Sequence, residues 1–199
     1  MRIVSNPNAA ATKDVQFGEV TTADGHVSVP LQEPLRVVTG PAVVASAPVD
    51  DDGSAQPFLN VKLATLTDKR FFEAFEARVV NAAVENRKVW FGKGVDADQV
   101  SASLKSFVRD DGEGTTLRLR LLPDVQAFDD AGRATDIATL AAGDRVRLLA
   151  EARAVRLGRN EFGCVWTARQ LRCEPQPECL IQPDGGAGAG DNDEWAWIV

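Results

Sequence analysis

From Thr115 onward the chain reads in steps of two. Leu117, Leu119 and Leu121 alternate with Arg118 and Arg120, and the rhythm returns where Arg145 and Arg147 alternate with Val146 and Leu148. An apolar/charged repeat of period two marks a β-strand with one greasy face and one face in water. Turn signals divide this half into further strands. Val125 to Phe128, Asp129-Asp130-Ala131-Gly132 and Arg133 onward read as a hairpin with a short loop. Gly143-Asp144 opens a long strand from Arg145 to Leu157, and Gly158-Arg159-Asn160 turns it into a last strand from Glu161 to Cys173.

The first half is less regular. Residues 1–34 are Pro-rich with few signals and read as an irregular N-terminal extension. Leu35 to Ser46 is rich in β-branched residues and predicts a strand interrupted at Gly40-Pro41. Asp50-Asp51-Asp52-Gly53 has the composition of a turn, and its carboxylates lack partners at metal-ligand spacing. Phe58 to Leu66 predicts a half-exposed strand, with Phe58, Asn60 and Lys62 opposite Leu59, Val61 and Leu63. Asp68 reads as the N-cap of a helix from about Lys69 to Glu85, whose core stripe is Phe71, Phe72, Phe75, Val79 and Ala83. A second, weaker helix is predicted from Asp96 to Val108. The order predicts a mainly β domain over residues 35–175 with inserted helices, a five-stranded OB-fold-like Greek-key barrel, followed by a flexible Gly-rich acidic tail over 176–199.

Charge is segregated along the chain. The net charge of −7 excludes a simple polycation, yet the pieces differ: residues 1–59 carry 3 basic and 7 acidic side chains, residues 60–173 carry 19 and 16, and residues 174–199 carry 0 and 6. Between Arg145 and Arg172 seven arginines face only Glu151 and Glu161. No apolar run approaches the roughly 18 residues of a membrane span, and the first residues lack the apolar core of a secretory signal. Three cysteines (Cys164, Cys173, Cys179) in an irregular pattern suit reduced thiols, which points to an intracellular protein. With one histidine, His26, and no Lys-Ser/Thr after a Gly-rich loop, the sequence offers no metal cluster, cofactor motif or nucleophile constellation. The expectation is a non-enzymatic protein without metal or cofactor.

A groove for single-stranded nucleic acid needs cations for phosphates and aromatic faces for bases on one curved sheet. Arg118, Arg120, Arg145, Arg147, Arg153, Arg156, Arg159 and Arg169 are the candidate cations, and Trp166 and the Trp90-Phe91-Gly92-Lys93 segment are the candidate aromatics. Each has a plainer explanation. Trp166 shares a face with Cys164 and Ala168 and suits a core as well as a base platform, Trp90-Phe91 suits a plug at a barrel end, and alternating Arg and Leu dress any one-sided sheet.

Several segments together resemble the single-stranded DNA-binding proteins of large eukaryotic DNA viruses, which are distantly similar to those of podophages. They are Pro57-Phe-Leu-Asn-Val-Lys-Leu63, Trp90-Phe-Gly-Lys93, Ser101-Ala-Ser-Leu-Lys-Ser-Phe-Val-Arg109, Leu117-Arg-Leu-Arg-Leu121, Gly143-Asp-Arg-Val-Arg147, and Phe162-Gly-Cys-Val-Trp166 with Gln170. The resemblance implies an oligonucleotide-binding barrel that coats replicating or recombining DNA without sequence preference, at a viral replication site in the host nucleus or cytoplasm. It places DNA contacts on Trp90, Phe91, Lys93, Lys105, Arg118, Arg120, Arg145, Arg147 and Trp166. It also implies an acidic tail, here Asp191, Asp193, Glu194, Trp195 and Trp197, that binds replication proteins such as a polymerase or helicase and competes with DNA. The chain departs from the phage pattern by ending Trp-Ile-Val after its acids. Self-association is compatible with this reading. A second reading is a virion or assembly protein whose barrel binds proteins only.

Overall fold

The computed structural model describes residues 2–5, 7–23, 25–49, 57–110, 112 and 114–175. The Asp50–Asp52 turn, Cys179 and the tail residues Asp191 to Trp197 lie outside the described residues. In chain order the elements are β1 (Arg2–Val4), a 3-10 turn (Ala9–Thr12), β2 (Thr21–Ala23), β3 (His26–Val38), β4 (Ala42–Val49) and β5 (Phe58–Leu63). Three helices follow, α1 (Leu66–Glu85), α2 (Arg87–Trp90) and α3 (Ala97–Ala102). The remaining strands are β6 (Val108–Asp110), β7 (Thr115–Phe128), β8 (Ala134–Thr135), β9 (Arg145–Leu157) and β10 (Phe162–Cys173).

Five strands close a ring. β4 pairs with β5, β5 with β7 and β9 with β10, all antiparallel, while β10 runs parallel to β7. Ala42 opposite Val146 and Val43 opposite Arg145 join β4 to β9 and complete the cycle. Numbered within the ring, the order is first, second, third, fifth, fourth, which is the five-stranded Greek-key barrel of the OB-fold.

The period-two residues do what their pattern requires. Leu59, Val61 and Leu63 of β5, Leu117 and Leu119 of β7, Val146 and Leu148 of β9, and Phe162 and Trp166 of β10 are all buried. α1 lays Phe71, Phe72 and Phe75 against Trp166, with ring centroids 6.5, 5.0 and 5.1 Å away, and Phe107 closes the cluster at 6.0 Å. Burying each phenylalanine contributes on the order of 1.5–3 kcal/mol, so this cluster anchors the helix to the barrel.

Three expectations need correction. α1 begins at Leu66 and its cap is Thr65, not Asp68. The Thr65 hydroxyl accepts the Asp68 backbone N–H at 3.0 Å and donates to Asp68 Oδ2 at 2.6 Å. The same carboxylate takes the Gly40 N–H at 3.0 Å, and a Cβ at Gly40 would lie 2.7 Å from Thr65 Cγ2. Asp68 therefore ties the helix start to the β3–β4 turn. The second helix stops at Ala102 rather than Val108, because Leu104 bridges to Phe162 and the chain turns into β6. Finally, residues 1–34 are not irregular: β3 runs from His26 through Pro30 and Pro34. It pairs with β9 from Val27–Leu157 to Val38–Leu149, and its register shifts between Pro30 and Leu35. Prolines lack an amide donor, so that bulge lets the strand continue and hides its pattern in the sequence.

Candidate nucleic-acid interface

The outer face of β5 carries Phe58, Asn60 and Lys62, since the inner face takes Leu59, Val61 and Leu63. In register, Phe58 lies opposite Arg120 and Asn60 opposite Arg118 of β7. Both guanidinium groups lean onto the Phe58 ring, Arg118 at 4.1 Å and Arg120 at 5.5 Å from its centroid. A cation over an aromatic face is attracted by the ring quadrupole, which holds these long side chains flat against the sheet.

Two other segments wall this face. The 158–161 turn between β9 and β10 brings Arg156 opposite Gly163. The segment after α3 hydrogen-bonds alongside β10, with the Phe162 N–H donating to Ser103 O (3.0 Å) and the Lys105 N–H to Phe162 O (2.7 Å). A Cβ on Gly163 would stand 2.6 Å from Lys105 O, so only glycine permits this approach. The result is a groove of about 280 Å³ bordered by Phe58, Lys105, Arg118, Arg120, Arg156 and Glu161, with His26 at its rim.

Positive charge predominates there. Partial burial and the nearby charge of Arg156 both lower the pKa of Arg120, the mark of cations crowded together. The buried Arg120 Nε has no hydrogen-bond partner among the described residues. Glu161 is the acid on the groove margin, and it holds Lys105 Nζ at 3.2 Å with both side chains largely exposed.

The other candidate residues are placed elsewhere. Arg145 and Arg147 converge on Glu174 at the opposite end of β9. Arg147 and Arg156 are nine steps apart along β9, roughly 30 Å along a strand. Arg153 and Arg36 both bind Glu151, which is only 2% exposed. Burial opposes the charge on Glu151, but the two arginine hydrogen bonds outweigh it and lower its pKa. Arg169 pairs with Asp124 at 3.2 Å. Arg159 is exposed on the 158–161 turn and Lys93 on the turn after α2. The structure thus does not gather all eight arginines on one surface: strand alternation puts them outside, but distant carboxylates claim several.

Neither of the two described tryptophans, Trp90 and Trp166, offers a free platform. Trp166 is 1% exposed inside the phenylalanine cluster, and the indole Nε1 has no hydrogen-bond partner among the described residues. Trp90 is buried against Phe17, centroids 5.7 Å apart. Phe91 is half-buried, edge-on to Phe162 at 5.4 Å. The aromatic residue on the cationic face is instead Phe58, which sequence reasoning placed on a half-exposed strand without assigning it a role. Its outward parity was the available signal.

Among the described residues, no group of three or more His, Cys, Asp or Glu side chains is placed to hold a metal ion, and no helix is long and apolar enough to cross a membrane.

Comparison with solved structures finds the single-stranded DNA-binding protein from bacteriophage Enc34 in complex with single-stranded DNA, at 9% identity and a TM-score of 0.47, covering 83% of this chain and 99% of that one. It also finds gp2.5, a single-stranded DNA-binding protein encoded by bacteriophage T7, at 12% identity and a TM-score of 0.48, covering 79% of this chain and 98% of that one. No curated protein matches the sequence. One family model does match, over residues 50–185, and the chain belongs to that family, the Family of unknown function (DUF5871).

Proposed function

We propose that this chain is a sequence-tolerant single-stranded DNA-binding protein that takes the strand along the outer face of β5 and β7. The observation that carries the reading is the stack of Arg118 and Arg120 over Phe58, in a groove where Arg156 and Lys105 add further positive charge. In five-stranded barrels of this topology the second and third strands, with the loops beside them, form the usual oligonucleotide face. β5 and β7 are those strands. Unpaired bases can stack on a ring or a guanidinium plane whatever their identity, and phosphates can replace Glu161 on Lys105. A duplex hides its base faces and gains nothing from the ring.

The same proposal extends to the acidic tail. Asp191, Asp193 and Glu194 supply carboxylates that compete with phosphates for the groove, and Trp195 and Trp197 supply anchors for replication proteins. In this picture the protein coats DNA during viral replication or recombination inside the host cell.

Anisotropy of labelled oligo(dT), titrated at rising salt with the full chain and with a chain lacking residues 184–199, tests the reading. Log affinity should fall linearly with log salt, and the shorter chain should bind more tightly at low salt. If neither form binds at 50 mM salt, the proposal is wrong. Tryptophan emission is the poorer probe, because Trp90 and Trp166 are buried and present no open ring face to a base.

A further inference from the structure

Beside the cationic groove lies a second depression of different chemistry. It measures about 340 Å³, near the low end for ligand pockets. Its walls come from three separate parts of the chain: Val27 of β3, Phe91 and Val95 after α2, and Leu157 at the end of β9. These four apolar side chains are half-buried, and Gln99 and the exposed Arg159 stand on the margin. Phe91 is fixed on two sides, edge-on to Phe162 at 5.4 Å and tilted against Trp90 at 6.4 Å. The two depressions share one wall, formed by Val27, Leu157, Gly158 and Glu161. Arg156 borders the groove on one side of that wall and Arg159 the depression on the other.

We infer that this depression is a docking pocket for a single nucleobase of the same DNA strand. The inference rests on the single-stranded DNA reading of the groove and extends it across the 158–161 turn. A polyanion carrying flat apolar pendants is the chemistry that fits. Its phosphates meet Arg156 and then Arg159 as it crosses the wall, and the base between them turns out of solvent onto Phe91, Val95 and Leu157. The Gln99 Oε1 takes the Asp96 N–H at 3.2 Å as part of the α3 cap, which turns its NH2 group to donating, and every base edge carries an acceptor. Because Phe91 is already held by its neighbours, little side-chain freedom is lost on docking. The bound strand therefore has two base-sensitive positions, one over Phe58 and one in this pocket.

An abasic scan separates the two. Labelled dT oligonucleotides carrying one abasic site at each successive position keep every phosphate and remove one base at a time. With the full-length protein, two positions should each lose about tenfold in affinity when made abasic. One sensitivity should vanish in Phe58→Ala and the other in Phe91→Ala. Val95→Ser, a change at a half-buried loop residue, should abolish the same sensitivity as Phe91→Ala, with thermal melting to verify that each variant is folded. A single sensitive position, or two that both survive in Phe91→Ala and Val95→Ser, overturns the pocket while leaving the groove intact. Tighter binding by these variants also overturns it and assigns the pocket to the chain's own Trp195–Trp197 end. Absence of any binding by the wild-type chain refutes the groove itself, and the pocket with it.

Discussion

β9 carries arginines at both ends, and the two ends have opposite electrostatic fates. At the start, Arg145 and Arg147 share Glu174, while Asp129, Asp130 and Asp144 are close enough that, after burial, their charges help raise the Cys173 thiol pKa. At the finish, burial and the nearby charge of Arg156 together lower the pKa of Arg120, and Glu161 is the acid among the described groove residues. Both ends present arginine on an outward strand face, but only one keeps an excess of charge. Arginine in a sequence reports that charge is available. Whether it is spent inside the fold depends on carboxylates brought in from elsewhere.

The sharpest way to break this comparison is to remove charge from each end in turn. Arg118→Ala with Arg120→Ala should weaken oligo(dT) binding about 100-fold at 100 mM salt, and reduce the salt slope by about 1.4 for two lost phosphate contacts. Arg145→Ala with Arg147→Ala should stay within about threefold of wild type. Equal losses in anisotropy titrations would erase the distinction between the ends.

The middle of the strand gives the next largest effect, on stability. Glu151→Gln leaves Arg36 and Arg153 without their counter-charge and should cost about 2 kcal/mol in urea unfolding. The Glu151 pKa is lowered in the folded state, so its contribution is fully present above the ordinary glutamate range, about 4.3. It disappears as pH falls through the lowered folded value. The stability gap between wild type and Glu151→Gln should therefore be constant near neutrality and close under strong acid.

Phe58→Ala probes the groove without touching its charge. Affinity should drop about tenfold by loss of stacking while the salt slope stays unchanged. The smallest expected effect sharpens the comparison from the other side. Glu174→Gln frees Arg145 and Arg147, and should raise affinity for long oligonucleotides about twofold while changing stability by less than about 1 kcal/mol, since the arginines are partly exposed.

The barrel was legible because strand periodicity is a local signal. The alternations of β5, β7 and β9 each lie within one short window, and the Gly-Asp and Gly-Arg-Asn turns punctuate them. Only the Leu35–Val38 end of β3 is legible, because Pro30 and Pro34 erase the local pattern before it, and its pairing is with a strand more than a hundred residues away. The groove was only partly readable. Arg118, Arg120, Arg156 and Lys105 were in view as cations, but the Arg36–Glu151 and Arg147–Glu174 pairs depend on chain crossings that no window contains. Phe58 gains its place only because β7 sets Arg118 and Arg120 beside it. Trp166 is the opposite case: its shared face with Cys164 and Ala168 was a core signal, and the three are buried together.

The long partnership between β3 and β9 has a consequence for anyone cutting this chain. A fragment starting at Ala42 retains every member of the five-stranded cycle, yet it strips the hydrogen-bonding partner from β9 between Leu149 and Leu157. Bare backbone on a flat β edge invites another molecule to add itself. Such a fragment should clump through the very margin that carries Arg156, so poor solubility on truncation would report a lost neighbour rather than a barrel unable to form.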